Sequence, residues 1–138
     1  FERSRYIEPF RWSESLDPQR RMFRTPDHYG FFMLHLNPVK GFTITTNGKV
    51  TGPMLVQHYA GYVAEDEEVV TRPFFEWDAK LAYDIPLYRN YTLQLSLGVK
   101  NLLDHYQPDL DKGMNKDAGY IYGPSAPRSY FFGVNLKI

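Results

Sequence analysis

The sequence predicts an all-β fold built from antiparallel strands, and three features of the 138-residue chain support this prediction. Apolar and polar residues alternate over several segments, whereas apolar residues rarely recur at the three-and-four spacing of an amphipathic helix. The connections between these segments are alternately short and long. Mean hydropathy is −0.47, and no apolar run approaches the roughly 18 residues that a membrane-spanning helix requires. The chain therefore reads as a sheet.

Six segments carry the alternation of a strand that has one apolar face. In chain order they cover residues 1–12, 29–37, 42–54, 74–85, 91–100 and 129–138. Two connections, 38–41 and 86–90, are short and contain turn-forming residues. The other three, 13–28, 60–73 and 106–128, are long.

The apolar faces of the four clearest strands contain no Asp, Glu, Lys or Arg. Contact with lipid explains this, because a Lys or Arg at the middle of a bilayer costs roughly 2 to 4 kcal/mol. A soluble core would exclude charge equally. The alternation of short and long connections is more discriminating, because outer-membrane barrels have tight periplasmic turns and long extracellular loops. We therefore predict an antiparallel transmembrane β-barrel segment in which the three long connections are extracellular.

Six strands are too few to close a membrane barrel, since the smallest ordinary ones have about eight. Unpaired strand edges within lipid would leave backbone N–H and C=O groups without partners. We expect the remaining strands to come from another segment or another chain. The start at Phe1, without Met or a signal segment, also suggests a cut piece or a processed product.

Several ordered motifs lie between Phe75 and the C-terminus, and two more lie upstream. They are Gly98-Val99-Lys100-Asn101-Leu102-Leu103-Asp104, Tyr106-Gln107-Pro108-Asp109-Leu110-Asp111-Lys112-Gly113, Asp117-Ala118-Gly119-Tyr120-Ile121-Tyr122-Gly123-Pro124, Pro127-Arg128-Ser129-Tyr130-Phe131-Phe132-Gly133, Arg24-Thr25-Pro26-Asp27-His28-Tyr29-Gly30 and Gln57-His58-Tyr59-Ala60-Gly61. Together these motifs resemble the C-terminal part of a TonB-dependent outer-membrane receptor of the Bacteroidetes type. One departure is the last residue, which is usually aromatic in that family and is Ile138 here.

The resemblance implies that residues 1–138 form about the last six strands of a 22-stranded barrel. It implies active import of a scarce, large nutrient such as an iron-siderophore, haem, cobalamin or a glycan across the outer membrane of a Gram-negative bacterium. The implied partners are the remaining strands and plug of the same receptor, TonB through that plug, and outer-membrane lipid. The alternative is a soluble all-β module that binds a glycan or peptide through aromatic loops.

Three histidines precede a tyrosine at or near predicted extracellular strand ends. These candidate substrate-binding pairs are His28 with Tyr29, His58 with Tyr59, and His105 with Tyr106. Imidazole and phenolate both ligate iron, so the pairs could contact haem or a metal chelate. The competing interpretation is that they are interfacial aromatics and polar strand ends.

Two acidic segments are the other candidates. Asp109, Asp111 and Asp117 around Gly113 suggest a calcium site, although the spacing lacks the Glu that completes an EF-hand. The alternative is that Asp111 and Asp117 cap turns or pair with Lys112, Lys116 or Arg128. The run Glu65–Glu68 is either solvated charge or a contact for a surface lipoprotein.

Other function classes find no support in the sequence. The 16 basic and 16 acidic residues balance, which argues against a nucleic-acid partner. The chain has no cysteine, so it has neither disulfides nor a thiolate nucleophile. We find no nucleophile elbow, zinc-protease motif, phosphate loop or dinucleotide fingerprint, and we therefore expect no enzymatic activity.

Overall fold

The computed structural model describes residues 4–138, which contain nine β-strands. The strands are β1 (Arg5–Phe10), β2 (Gln19–Arg21), β3 (Tyr29–Val39), β4 (Phe42–Thr51), β5 (Leu55–His58), β6 (Glu67–Val70), β7 (Phe74–Pro86), β8 (Thr92–Lys100) and β9 (Ser129–Lys137). β1 pairs with β2, β5 pairs with β6, and the remaining strands form a five-stranded sheet in the order β3-β4-β7-β8-β9. The predicted all-β class with antiparallel pairing is confirmed.

The chain divides into two compact units. We call the first the loop unit; it contains the described residues up to Gly30, together with Val50–Phe74 and Tyr106–Ser125. We call the second the sheet unit; it contains Phe31–Lys49, Phe75–His105 and Ala126–Ile138.

The five-stranded sheet is built from the five predicted segments that begin at residues 29, 42, 74, 91 and 129, and neighbouring strands are consecutive segments. Both predicted short turns are present. Gly41 in the first has φ +81°, and Arg89 in the second has φ +63°. The third predicted strand is shorter than expected, because β4 ends at Thr51 and Met54 lies in the core of the loop unit.

The predicted strand over residues 1–12 is wrong as a member of this sheet. Its described part contains β1, which pairs with β2 in the loop unit, and Phe1 to Arg3 lie outside the described residues. The physical reason is local aromatic packing: the rings of Tyr6 and Phe10 lie 6.5 and 6.4 Å from that of the buried Phe23. The described residues therefore contribute five strands to this sheet, and not the six that were predicted.

The register of the sheet separates apolar from polar residues. Leu97 lies opposite Leu81 on one side and Phe132 on the other, and the next row on the same face is likewise apolar. On the opposite face Gln94 lies between Asp84 and Asn135. Because the faces alternate at every residue, this register confirms the assignment of faces made from the sequence for β7, β8 and β9.

The buried apolar core lies in the loop unit. Its centre is Met54, Val56 and Tyr120, with Val69 and Tyr122 packed against them. In the sheet unit Ala82 is the one buried hydrophobic residue among those described, whereas Leu97 and Phe132 are 56% and 70% exposed. Residues 4–138 contain no helix with the length and apolar character needed to cross a membrane.

A side-chain joint in the sheet unit, centred on Asn101, links the end of β8 to Asp78 within β7 and to Ala126, which precedes β9. Asn101, directly after β8, has φ +51° and a buried side chain that donates to the carbonyls of His105 (3.0 Å) and Ala126 (3.1 Å). Its Oδ1 accepts the His105 N–H at 3.0 Å, and its own N–H donates to Asp78 Oδ1 of β7 at 2.8 Å. Asparagine suits this position because it tolerates a left-handed backbone and bonds in both directions.

Candidate functional site

The candidate site is a hydrogen-bonded group of side chains in the loop unit, which we call the loop cluster. It consists of His58, Gln107, Asp109, Asp111, Asp117, Tyr120 and Tyr122. His58 ends β5, and the other six residues come from the long connection between β8 and β9. The cluster therefore holds that connection against the β5–β6 hairpin.

Gln107 positions the two tyrosines through their backbone. Its side chain is fully buried, and Nε2 donates to the Tyr120 carbonyl at 3.0 Å. Its Oε1 accepts the Tyr122 N–H at 3.0 Å. Because a buried amide is costly unless it is hydrogen-bonded, this arrangement fixes the path of residues 120–122.

His58 and Asp111 form a buried pair. Their closest atoms, Nε2 and Oδ2, are 2.9 Å apart, and the side chains are 7% and 2% exposed. The ring of Tyr120 stacks on that of His58 with centroids 3.7 Å apart and planes 5° from parallel. Burial raises the pKa of the Asp111 carboxyl, but the Asp117 N–H and His58 lower it by more, so its pKa lies below the ordinary value.

Asp109 accepts both tyrosine hydroxyls. Tyr120 Oη donates to Oδ2 at 3.0 Å, and Tyr122 Oη donates to Oδ1 at 2.6 Å. Burial raises the pKa of each phenol above its ordinary value, and the adjacent Asp109 carboxylate raises it further because it favours the protonated donor. Both tyrosines therefore act here as neutral donors instead of phenolate ligands.

Asp117 organises the turn that follows. Its Oδ1 accepts the Gly119 N–H at 2.7 Å, and its Oδ2 accepts the Tyr59 N–H at 3.1 Å. Arg24, which has φ +56°, donates from Nη2 to the Gly119 carbonyl at 2.6 Å. These bonds tie the turn to both upstream parts of the loop unit.

The cluster forms one side of an open cleft of about 340 Å³ in the loop unit. The cleft is lined by His58, Tyr62, Val63, Glu67, Val69, Pro108, Asp109, Leu110, Asp111, Lys112 and Tyr120. Its volume falls at the lower end of the range of small-molecule sites.

The structure places the predicted His-Tyr pairs in different settings. His58 joins the loop cluster, and Tyr59 packs its ring edge-on against Trp12 at 5.0 Å. The His28 ring packs against Gly52, so closely that a Cβ added at Gly52 would lie only 2.7 Å from it. Tyr29 is exposed at the start of β3. The side chains of His105, in the sheet unit, and Tyr106, in the loop unit, are exposed.

The structure gives the calcium interpretation of Asp109, Asp111 and Asp117 no donor set. Residues 4–138 contain no group of three or more His, Asp or Glu side chains placed to hold a metal ion. The oxygens of the three carboxylates accept hydrogen bonds from tyrosine hydroxyls, His58 and backbone N–H groups, and the bond from the Gly119 N–H to Asp117 closes a local turn.

The acidic run Glu65–Glu68 is more than solvated charge. Asp66 Oδ1 accepts the Ala60 N–H at 2.9 Å, and Glu68 Oε1 accepts the Trp12 indole N–H at 3.1 Å. Two of the four acids therefore bind other parts of the loop unit. A contact with a surface lipoprotein stays a prediction.

Sequence reasoning missed Gln107 and Asp109 as organisers of the tyrosines. The spacing Tyr120-x-Tyr122 is visible in the sequence, but nothing in it indicates that both hydroxyls converge on one carboxylate 11 and 13 residues upstream.

Comparisons with known proteins add no relative. No protein-family model matches the chain, and no similar protein was found among curated sequences or solved structures.

Proposed function

We propose that the chain is the C-terminal strand segment of a TonB-dependent receptor in a bacterial outer membrane, and that it takes part in the uptake of a scarce, large nutrient. One observation carries the proposal. The five-stranded sheet leaves one apolar face exposed, while the buried core lies in the connections between its strands. A water-soluble sheet normally buries that face against another layer.

The exposed apolar face is continuous across β7, β8 and β9. Its rows run from Leu81 through Leu97 to Phe132 and from Tyr83 through Leu95 to Val134. A shallow groove of about 220 Å³ follows these rows. Lipid acyl chains would cover such a face without any protein partner, as they do on the outside of a barrel.

The opposite face carries paired charges suited to a water-filled lumen. Lys137 Nζ and Gln94 Nε2 both donate to Asp84, at 3.0 and 2.7 Å. Lys49 Nζ of β4 lies 3.6 Å from Glu76 Oε2 of β7, which adds a second charged pair on this face. Sheets with one apolar and one polar face are typical of transmembrane barrels that enclose water.

The sheet has two edge strands, β3 and β9, each of which pairs with a described strand on one side only. In lipid both edges need partners, because bare backbone groups cost several kcal/mol each. The remaining strands of the receptor would supply them, and its plug would fill the lumen and contact TonB. The long connections would then be extracellular, on the side from which the nutrient arrives.

Paired cysteine substitutions test the membrane assignment, since the chain has no native cysteine. Val134 lies on the apolar face and its neighbour Asn135 on the polar face, so Val134→Cys and Asn135→Cys form a matched pair. Each variant carries a bimane label and is reconstituted in phosphatidylcholine vesicles with brominated acyl chains. We expect strong quenching at position 134 and little at position 135.

Equal quenching at the two positions would contradict the proposal. So would a labelled chain that stays monomeric in the aqueous supernatant and is not quenched at either position. That second result would favour the soluble glycan- or peptide-binding module.

A further inference from the structure

The cleft of the loop unit has the features of a binding site for a cationic group. Three carboxylates line it, from Glu67, Asp109 and Asp111, against one lysine, Lys112. Acidic side chains therefore outnumber basic ones in its lining, even with His58 counted as basic. A concave site with excess charge of one sign concentrates ligands of the opposite sign.

Asp111 gives a second, independent reason to expect a ligand. Its side chain is 2% exposed, and Oδ1 is buried with no hydrogen-bond partner among the described residues, although Oδ2 accepts from His58 and the Asp117 N–H. An unpartnered buried carboxylate oxygen is uncommon in proteins and requires an explanation. Both oxygens of Asp109, by contrast, are occupied by tyrosine hydroxyls.

The remaining walls of the cleft are apolar or aromatic. Val63, Val69, Pro108 and Leu110 line it, and the half-exposed ring of Tyr62 adds a π-face. An alkyl chain can pack along such walls while its charged end reaches the carboxylates. Aromatic faces also attract cations.

We propose that this cleft binds a primary ammonium group carried on a short alkyl chain, with Asp111 and Glu67 as its carboxylate partners. The inference goes beyond transport and concerns the loop unit alone. It does not require the apolar face of the sheet to contact lipid, so the labelling experiment above and the one below can fail independently.

Titration calorimetry with two matched probes tests the inference on the full 138-residue chain. The probes are Nα-acetyl-lysine methylamide and Nα-acetyl-norleucine methylamide, which differ in the terminal ammonium. We expect the lysine probe to bind at least about tenfold more tightly at low ionic strength. Its affinity should fall as salt is added, because salt screens the attraction.

Two variants and one control locate the interaction. Glu67→Gln removes a rim charge from the cleft, and Glu65→Gln removes the same charge from the same hairpin at a position that does not line it. We expect Glu67→Gln to weaken binding of the lysine probe about fivefold and Glu65→Gln to leave it unchanged. Asp111→Asn, with its fold checked by near-ultraviolet circular dichroism, should weaken binding at least as much as Glu67→Gln.

Several results would overturn the inference. The first is equal affinity for the two probes. The second is an equal loss of affinity for the lysine probe in Glu65→Gln and Glu67→Gln. The third is no detectable binding of the lysine probe at about 10 mM, a concentration at which even a weak small-molecule complex would form. A folded Asp111→Asn protein that binds the lysine probe as well as the parent would indicate that Oδ1 holds only a structural water.

Discussion

Asn101 links the two ends of the connection between β8 and β9, and its replacement by alanine tests how much stability this link gives the sheet unit. The substitution removes three side-chain hydrogen bonds, two to carbonyls and one from the His105 N–H. At about 1 kcal/mol of net stability for each bond, the loss is about 3 kcal/mol. Alanine also tolerates φ +51° less well than asparagine, which adds about 1 kcal/mol. We therefore expect the free energy of unfolding of the sheet unit to fall by about 4 kcal/mol.

Urea unfolding in detergent micelles measures this loss. The chain has two tryptophans, Trp12 in the loop unit and Trp77 in the sheet unit, so a Trp12→Phe background leaves Trp77 as the reporter. With a urea slope of about 1 to 3 kcal/mol per molar, the midpoint should fall by roughly 1 to 4 M. Asn101→Gly separates the two causes, because glycine accepts the backbone angle but cannot make the bonds.

Two results would refute this account of the joint. The first is a midpoint for Asn101→Ala within about 0.3 M of the parent, which is under 1 kcal/mol at ordinary slopes. The second is an Asn101→Gly variant as stable as the parent, which would assign the whole effect to the backbone angle.

The remaining predictions concern the loop unit and the glycines. Because the folded pKa of Asp111 lies below its ordinary value, its contribution to stability is present above about pH 4 and is lost as the pH falls further. Acid unfolding followed by Trp12 fluorescence in a Trp77→Phe background should show this loss, and Asp111→Asn should make the stability depend less on pH. The same loss of stability at low pH in Asp111→Asn and the parent would contradict the assignment. Tyr120 and Tyr122 have raised folded pKa values, so they stabilise the protein below about pH 10 and this contribution is lost at higher pH. Absorbance at about 295 nm, where phenolate absorbs, should show two of the eleven tyrosines titrating late, and Tyr122→Phe should leave one; an unaltered late fraction would refute this. Gly98→Ala places a methyl group 2.8 Å from a carbonyl of β7 and against the ring of Phe131, and should cost about 1 to 3 kcal/mol in thermal or urea unfolding. Gly30→Ala is its control, since its methyl group would meet Val50 at an ordinary 3.6 Å, and equal losses would show that crowding is not the cause.

The strands of the sheet could be predicted because each segment carries its own pattern. Alternation over residues 74–85 specifies both a strand and the residues on each face, whatever its neighbours are. The segment containing β1 has too few alternating residues to specify a partner, and its position follows from ring contacts between Tyr6, Phe10 and Phe23. Such contacts depend on the folded path of residues 11–22 and have no periodic signature.

The site was predicted less well for a related reason. His58 was found because imidazole is distinctive in any sequence, and Asp109 and Asp111 were found because carboxylates are. The sequence left calcium binding and turn capping open for these carboxylates, since a carboxylate that accepts a hydrogen bond from Tyr120 and one that holds a cation look identical in sequence. Gln107 carries no functional signal at all, and its role appears only when its amide is buried against the backbone.

Hydrogen bonds join the two sides of the connection between β8 and β9 close to the strands. They reduce the length of chain whose closure costs entropy when these strands pair. In the loop unit the Gln107 N–H donates to the Pro124 carbonyl at 2.9 Å, and in the sheet unit Asn101 joins His105 to Ala126. Because these bonds join the two sides of the connection, the pairing of β8 with β9 has to close only the short segments next to each strand, and not the whole connection. For a flexible loop, each doubling of length costs only about 0.6 kcal/mol. A change between Pro108 and Gly123 would therefore alter the cleft and the core around Tyr120, while β8 and β9 keep their register.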